Sequence, residues 1–464
     1  MRKPWNLMLT LGLIASLGVT ASAQSPQLDS CDATWLWPVP TNAAEADRLI
    51  DMDELKAEDG SAVLSDQSFA DLLAAVDSGA ASVSTGSNQS SKIELSSALR
   101  ERGNWKIAGM RIDATAPGGH GDIRAVYGEL PQIRLILQPV TVNGMNCKVH
   151  DFAMHVVYSF PKPNTRPSEP DEPKFREILD DFLALKKKCE DAGVMTTGAK
   201  LGIHPGLKNN AIDGLTDDVQ AMLKKYLHDH RLSALAIMGL DPPEPWIFMS
   251  LFRPQGPGTN FVVFPIPVFN DPSATDDADK RKTAQMLTFR ATPHILPVAQ
   301  TDNLSPIAHN PNLGNLFQVP LHERKGVSMS EFFSNNFAAD LDAPAKAGVA
   351  ADGSPILDAQ MKNKDIPDYI ANPTKCHFFN TDCLSCHVES QRREKFNLAP
   401  SSFAFEWPAG IAELDPGVKQ TTQWNVRNLG WFPRGGSVAP TISQRTANET
   451  AEAVSYINEK YLAD

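Results

Sequence analysis

The sequence predicts an α+β protein: an antiparallel-sheet-rich N-terminal part with packed helices, followed by a mainly α-helical C-terminal region. Three observations carry this. Phe152, Met154, Val156, Tyr158 and Phe160 alternate strictly, which puts five large side chains on one face of a strand and His155 on the other. Phe175, Ile178, Leu179, Phe182 and Cys189 share one helix face, because fourteen residues make nearly four full turns. Near the C-terminus, Ala447, Ala451, Val454, Ile457 and Tyr461 recur at three- and four-residue spacing after Pro440 and Thr441. The composition agrees, since 42% hydrophobic and 21% charged residues with 35 Pro and 29 Gly describe a loop-rich globular chain. At 464 residues it is long enough for two or three domains around a substantial core.

The first 23 residues, MRKPWNLMLTLGLIASLGVTASA, combine a basic start, an apolar stretch from Leu7 to Val19 and a small-residue cleavage site at Ala21-Ser22-Ala23. We expect a signal peptide over 1–23 cleaved after Ala23. The alternative, a retained anchor, meets an apolar stretch shorter than the about 20 residues that span a bilayer. No later segment supplies such a span, so the mature chain is expected to lack a transmembrane segment and to be periplasmic or secreted. The net charge is −12, and losing Arg2 and Lys3 with the leader leaves 41 basic against 55 acidic residues, or −14. That balance argues against a sequence-independent grip on nucleic acid or anionic membrane.

Residues 24–103 read as a helical and linker segment. Phe69, Leu72, Leu73 and Val76 make one amphipathic helix beginning after Ser65 or Asp66, and the Ser/Gly/Ala-rich stretch from Ser78 to Ser91 reads as a flexible linker. Residues 104–320 read as an α+β domain. Trp105 to Asp113 and Gln132 to Val140 are β-prone, and Gly118, Gly119 and Gly121 punctuate the chain between them. Further strands are expected at Trp246 to Phe252 and Asn260 to Val263, with Pro265 and Pro267 confining any continuation to an edge. The helix around Phe175 has an acidic start and Lys186-Lys187-Lys188 near its end, which suits the helix dipole. A second helix starts near Thr216 with Asp217 and Asp218 in its first turn and presents Val219, Met222, Leu223 and Tyr226. Both are expected to pack on the sheet. Residues 321–464 read as a separate C-terminal region, with a short helix from Val327 to Phe337, an Ala/Asp/Pro/Gly-rich stretch from Ala338 to Pro355, and the terminal helix.

That region holds the sharpest chemical signal. Cys383-Leu384-Ser385-Cys386-His387 is a C-x-x-C-H pattern, in which two thiols reach the two vinyl groups on one porphyrin edge and a tight turn places the adjacent imidazole on the iron. On these residues, together with the export signal, the chain resembles the c-type cytochromes. The resemblance implies one covalent haem c held by Cys383 and Cys386, with His387 as proximal ligand, in a cytochrome c-like haem region. It covers a small part of the chain. Zinc held by Cys376, Cys383, Cys386 and either His377 or His387 is a rival reading, as is a plain Cys383–Cys386 disulfide.

The chain departs from the common pattern in one respect, because neither Met nor His follows His387. A sixth iron ligand therefore comes from upstream or is absent; Met361, His322 and His377 are the main candidates, with His309 and Met329 behind them. An open position favours a peroxidase-like haem enzyme or a gas-binding sensor, and a closed one favours electron transfer. We expect an electron carrier working with a redox partner protein or a small oxidant. A third possibility is a structural or binding protein whose cysteines hold zinc or disulfides. Phe403, Phe405, Trp407, Trp424, Trp431 and Phe432 offer aromatic surface to cover a macrocycle, and Arg427, Arg434 and Arg445 offer charge to its propionates.

The remaining cysteines, Cys31, Cys147, Cys189 and Cys376, allow three pairwise connectivities in an oxidising compartment. Cys147 with Cys189 is preferred because both fall in one predicted domain, which leaves Cys31 for Cys376. His228 and His230 lie two apart on a predicted helix and are expected to diverge, as are His150 and His155 about a strand. The chain shows no phosphate-binding glycine loop and no nucleophile-elbow signature.

Overall fold

A computed structural model describes residues 26–84, 95–115, 130–165, 169–239, 246–253, 261–264, 266–267, 286–287, 290–292, 371, 373, 413–419, 428–434 and 437–463. Over these residues the chain is a mixture of helices and antiparallel sheet, as expected of an α+β protein. The strands are β1 (Thr34–Leu36), β2 (Trp105–Asp113), β3 (Gln132–Asn143), β4 (Asn146–Val149), β5 (Phe152–Ser159), β6 (Leu232–Gly239), β7 (Trp246–Phe252), β8 (Val262–Phe264), β9 (Ile266–Pro267), β10 (Met286–Leu287), β11 (Arg290–Thr292), β12 (Leu429–Arg434) and β13 (Ser437–Ile442). The main sheet runs in the order β1-β2-β3-β5-β6-β7-β11, with β4 paired to β3 and β8 to β7. β9 pairs with β10, and β12 with β13, in separate two-stranded sheets.

The alternation read in the sequence builds the sheet's centre. Met154, Val156 and Tyr158 of β5 lie opposite Leu137, Leu135 and Ile133 of β3, and all six side chains are fully buried. His155, on the opposite face, lies across from Ile136 and Ala236. The Tyr158 hydroxyl, sealed in this core, donates to the Val63 carbonyl at 3.0 Å. Burying a large apolar side chain contributes roughly 1.5–3 kcal/mol, so these six together contribute on the order of 10 kcal/mol before the entropy of ordering them is counted. β6 completes the centre, pairing with β5 on one side and β7 on the other, although its sequence lacks a strict apolar alternation.

The helices are α1 (Ser30–Ala33), α2 (Ala43–Ala46), α3 (Asp66–Ser84), α4 (Ser97–Arg100), α5 (Glu172–Asp191), α6 (Leu215–Tyr226) and α7 (Gln444–Lys460). In α5, Asp171 caps the N-terminus by accepting from the Lys174 amide, and Phe175, Ile178, Leu179, Phe182, Leu185 and Cys189 are its buried stripe. α6 starts at Leu215 after Gly214 at φ +72°, with Asp217 and Asp218 in the first turn and Lys224 and Lys225 in the last. Ser65 caps α3 through the Ser68 amide, and the helix runs on to Ser84. The flexible linker expected at 78–91 is thus helical over its first half. Its alanines favour helix once the Phe69-Leu72-Val76 face has nucleated a turn against the core; residues 85–94 lie outside the described residues.

α7 and the β12–β13 hairpin cover the other face of β1, β2 and β3. Thr34 and Thr450 hydroxyls share a hydrogen bond of 2.8 Å. Gln138 Nε2 donates to the Trp431 carbonyl at 2.8 Å, and its Oε1 accepts from the Trp431 amide. The Trp431 indole donates to the Trp37 carbonyl at 2.9 Å. The chain comes close here: Gly430 has φ +134°, and a Cβ on it would strike Gln138 Oε1. One continuous core therefore takes side chains from residues 24–103, 104–320 and 321–464 alike.

Candidate functional site

Cys383, Cys386 and His387 lie outside the described residues, as do Cys376 and the candidate ligands Met361, His322, His377, His309 and Met329. What the structure describes is the frame to which their segment is fastened. On the N-terminal side, Ala371 is buried and its carbonyl accepts from Asn448 Nδ2 of α7 at 2.9 Å. On the C-terminal side, Leu414 forms a parallel bridge with Leu201, in which the Leu201 amide donates to the Glu413 carbonyl at 2.7 Å and the Asp415 amide to the Leu201 carbonyl at 2.9 Å. Asp415 then accepts from the Gly417 amide at 2.8 Å and caps the short turn Pro416–Val418. Gly202 permits the approach, since a Cβ there would lie 2.8 Å from the Asp415 Cβ. The ion pairs Lys200–Glu413 and Lys208–Asp415 sit in solvent and add little.

A buried charge network underlies the same helix. Arg111 Nη1 donates to Glu449 Oε2 at 2.7 Å, its Nε pairs with Asp113 at 3.0 Å, and Arg445 Nε donates to Glu449 Oε1 at 3.0 Å. Burial pushes the Glu449 carboxyl up, but Arg111 and Arg445 outweigh it and bring it down to about 2. Burial acts against the Arg111 charge, yet Asp113 and Glu449 hold its pKa above the ordinary value. Arg445, considered above as a partner for haem propionates, is thus engaged with Glu449 inside its own helix. Arg427 and the Arg434 side chain lie outside the described residues.

One of the aromatic residues considered as macrocycle cover, Trp431, packs instead in the main core. Trp431 and Phe432 are fully buried in the β12–β13 hairpin, where Trp431 is tied to Trp37 and Gln138. Phe403, Phe405, Trp407 and Trp424 lie outside the described residues.

The expected Cys147–Cys189 bridge is not formed: Cys31, Cys147 and Cys189 are free thiols. Cys147 sits on β4, its Sγ 3.3 Å from the Pro40 carbonyl, while Cys189 is buried on α5 against Gly206. Membership of one domain did not bring them together, because β4 hangs from β3 as an outer strand whereas Cys189 points into the core. Burial, with Asp32 nearby, pushes the Cys31 thiol up to about 12 and the Cys189 thiol to about 11. Neither is therefore a thiolate at neutral pH.

Sequence reasoning missed His204. It is buried, its ring stacks on Trp35 with centroids 3.5 Å apart and planes 7° from parallel, and Nδ1 accepts from the Gly206 amide at 3.2 Å. Burial lowers its pKa to about 3, so it is neutral at ordinary pH. No local signal marks it, since its partner Trp35 is remote in sequence. His228 and His230, expected to diverge, stack at 5.1 Å because residues Asp229–Arg231 form a tight 3-10 turn instead of continuing α6. His150 lies between β4 and β5 and bonds Thr141 Oγ1 at 2.9 Å. Among the described residues no three His, Cys, Asp or Glu side chains stand close enough to share a metal ion, and no helix is long and apolar enough to cross a membrane.

Comparison with protein-family models, with curated proteins and with solved structures finds no match to this chain.

Proposed function

We propose that the protein is an exported, single-haem c-type cytochrome-like protein that transfers electrons, with a haem-bearing C-terminal region joined to an α+β core. The observation that carries this is the run Cys383-Leu384-Ser385-Cys386-His387. Its donor set fits haem c: two thiols three residues apart for the vinyl groups and an adjacent imidazole for the iron. The haem supplies one-electron chemistry at its iron; the protein supplies attachment, axial ligation and a partner surface. Two further features support the reading. The N-terminal leader would deliver the chain to a periplasmic or extracellular setting where such haem is attached. The described thiols Cys31 and Cys189 are buried and protonated, so they do not compete for the attachment chemistry.

A second reading, a haem enzyme or gas-binding sensor with an open sixth position, is favoured by the absence of Met and His after His387. Absorption spectra of exported protein, recorded oxidised, reduced, and reduced with carbon monoxide, separate the two when combined with intact mass after acid denaturation. One retained haem and a spectrum unmoved by carbon monoxide is the expected result. A carbon monoxide shift moves the assignment to the open-iron reading. A colourless protein without haem mass overturns both and leaves zinc or disulfide chemistry at these cysteines. Replacing Cys383 and Cys386 together is expected to abolish covalent attachment, and replacing His387 to abolish the normal spectrum.

A further inference from the structure

Between α6 and β6 the chain turns through His228, Asp229, His230 and Arg231, and the turn closes with the Arg231 amide donating to the His228 carbonyl at 2.9 Å. Asp229, in the middle, is anchored to its neighbours. Its Oδ1 accepts from the Ser65 amide at 2.9 Å and the Ser68 hydroxyl at 2.7 Å, while Arg253 Nη1 donates to its Oδ2 at 3.2 Å and to its main-chain carbonyl at 2.7 Å. Arg231 lies over the Phe160 ring, 5.1 Å from its centroid. These contacts fix the backbone on both sides of the two histidines, whose rings stand with centroids 5.1 Å apart and planes 25° from parallel. His230 is exposed and His228 half-buried. A second turn, at 57–61, packs on the same end of α6, where the Glu58 amide donates to the Lys224 carbonyl at 3.2 Å. In that turn Asp59 accepts from the Ser61 amide at 2.9 Å and its hydroxyl at 2.6 Å. Those bonds hold the Asp59 carboxyl below its ordinary value, and the two imidazoles add to the effect, so its charge lies within electrostatic reach of both rings.

We propose that His228 and His230 form a two-imidazole chelate for a divalent transition-metal ion, zinc or copper(II), with water completing the coordination and Asp59 supplying nearby negative charge. Imidazole nitrogen is a favoured ligand of both ions. Two such nitrogens bound side by side to one ion at about 2.0 Å put their ring centroids about 4.5–5.2 Å apart. The separation of 5.1 Å falls in that range. Histidine χ2 is a soft torsion, so aiming the nitrogens at a common ion takes only ring rotation on a turn that is already fixed. Asp229 is thus a positioning residue: its bonds to Ser65, Ser68 and Arg253 hold the turn that keeps the two imidazoles together before any ion arrives. A chelate of two protein ligands also agrees with the lack of a third ligating side chain close by among the described residues. The site is remote in sequence from Cys383, Cys386 and His387 and does not depend on the haem reading.

Calorimetric titration of the full-length exported protein with zinc, comparing wild type with His228→Gln and His230→Gln, tests this. Each variant is expected to weaken the site about a hundredfold, because a chelate becomes a single ligand, while the circular dichroism spectrum stays that of wild type. Zinc held by cysteines elsewhere in the chain is common to all three proteins and cancels in the comparison. Zinc binding that is equal in wild type and both variants, or absent from all three, overturns the proposal. Loss in one variant alone also overturns it, since that marks an isolated ligand. Should His228→Gln not fold, the nitrogen hyperfine pattern of copper(II) added to wild type and to His230→Gln decides the question. Two coordinated imidazoles falling to one support the chelate, and an unchanged count refutes it.

Discussion

Acidification should weaken this fold through His204 before most carboxylates respond. The folded pKa of about 3 lies below the ordinary imidazole value of 6.5, because burial disfavours the charged ring. The unfolded chain therefore binds a proton near pH 6.5 that the folded chain refuses, so the stabilisation is complete above pH 6.5. It declines as pH falls and levels off only near pH 3. Between pH 7 and pH 5 the loss from this one group is about 2 kcal/mol. The perturbation that isolates it is His204→Phe, which keeps a flat ring against Trp35 and removes the titration. Phe also deprives the Gly206 amide of its acceptor, a penalty of about 1–3 kcal/mol that does not vary with pH. Urea unfolding followed by circular dichroism at pH 7, 6 and 5 gives the difference between the two proteins. That difference should shrink by about 2 kcal/mol over the range; His150 and His230, also lowered by burial, cancel in the comparison. A gap that stays constant with pH would refute the assignment of His204 as a buried neutral group.

Two further expectations follow from the C-terminal closure. Trp431→Ala should cost about 3–5 kcal/mol, since it empties a fully buried site and leaves the Trp37 carbonyl without its indole donor; a thermal melt within error of wild type would contradict the packing. Glu449→Ala should cost about 3 kcal/mol or more by leaving Arg111 buried with one carboxylate fewer. It should also remove a separate acid-labile contribution, because a carboxyl held at about 2 stabilises above pH 4.5 and loses that effect as pH falls through 2. An acid titration of unfolding free energy from pH 5 to pH 2 that is parallel in wild type and variant would count against it.

Local pattern alone determined a good deal of this protein. The alternation from Phe152 to Tyr158, the stripe from Phe175 to Cys189, the acidic first turn of α6 and the Ala447-to-Ile457 spacing are each legible, because a strand or helix writes its own period into the side chains it must bury. The C-x-x-C-H run is legible for a similar reason, since the whole pattern is contained within five residues. Only the tertiary structure decided what those faces meet. β6 was not marked by its period, because Leu232 and Leu235 stand three apart across the irregularity in its pairing with β5. Trp431 on Trp37, Arg111 on Glu449 and His204 on Trp35 join residues far apart in the chain. A period in the sequence states which way a side chain points, but the identity of a partner hundreds of residues away is set by packing and charge compensation in the folded core, and it leaves no local trace.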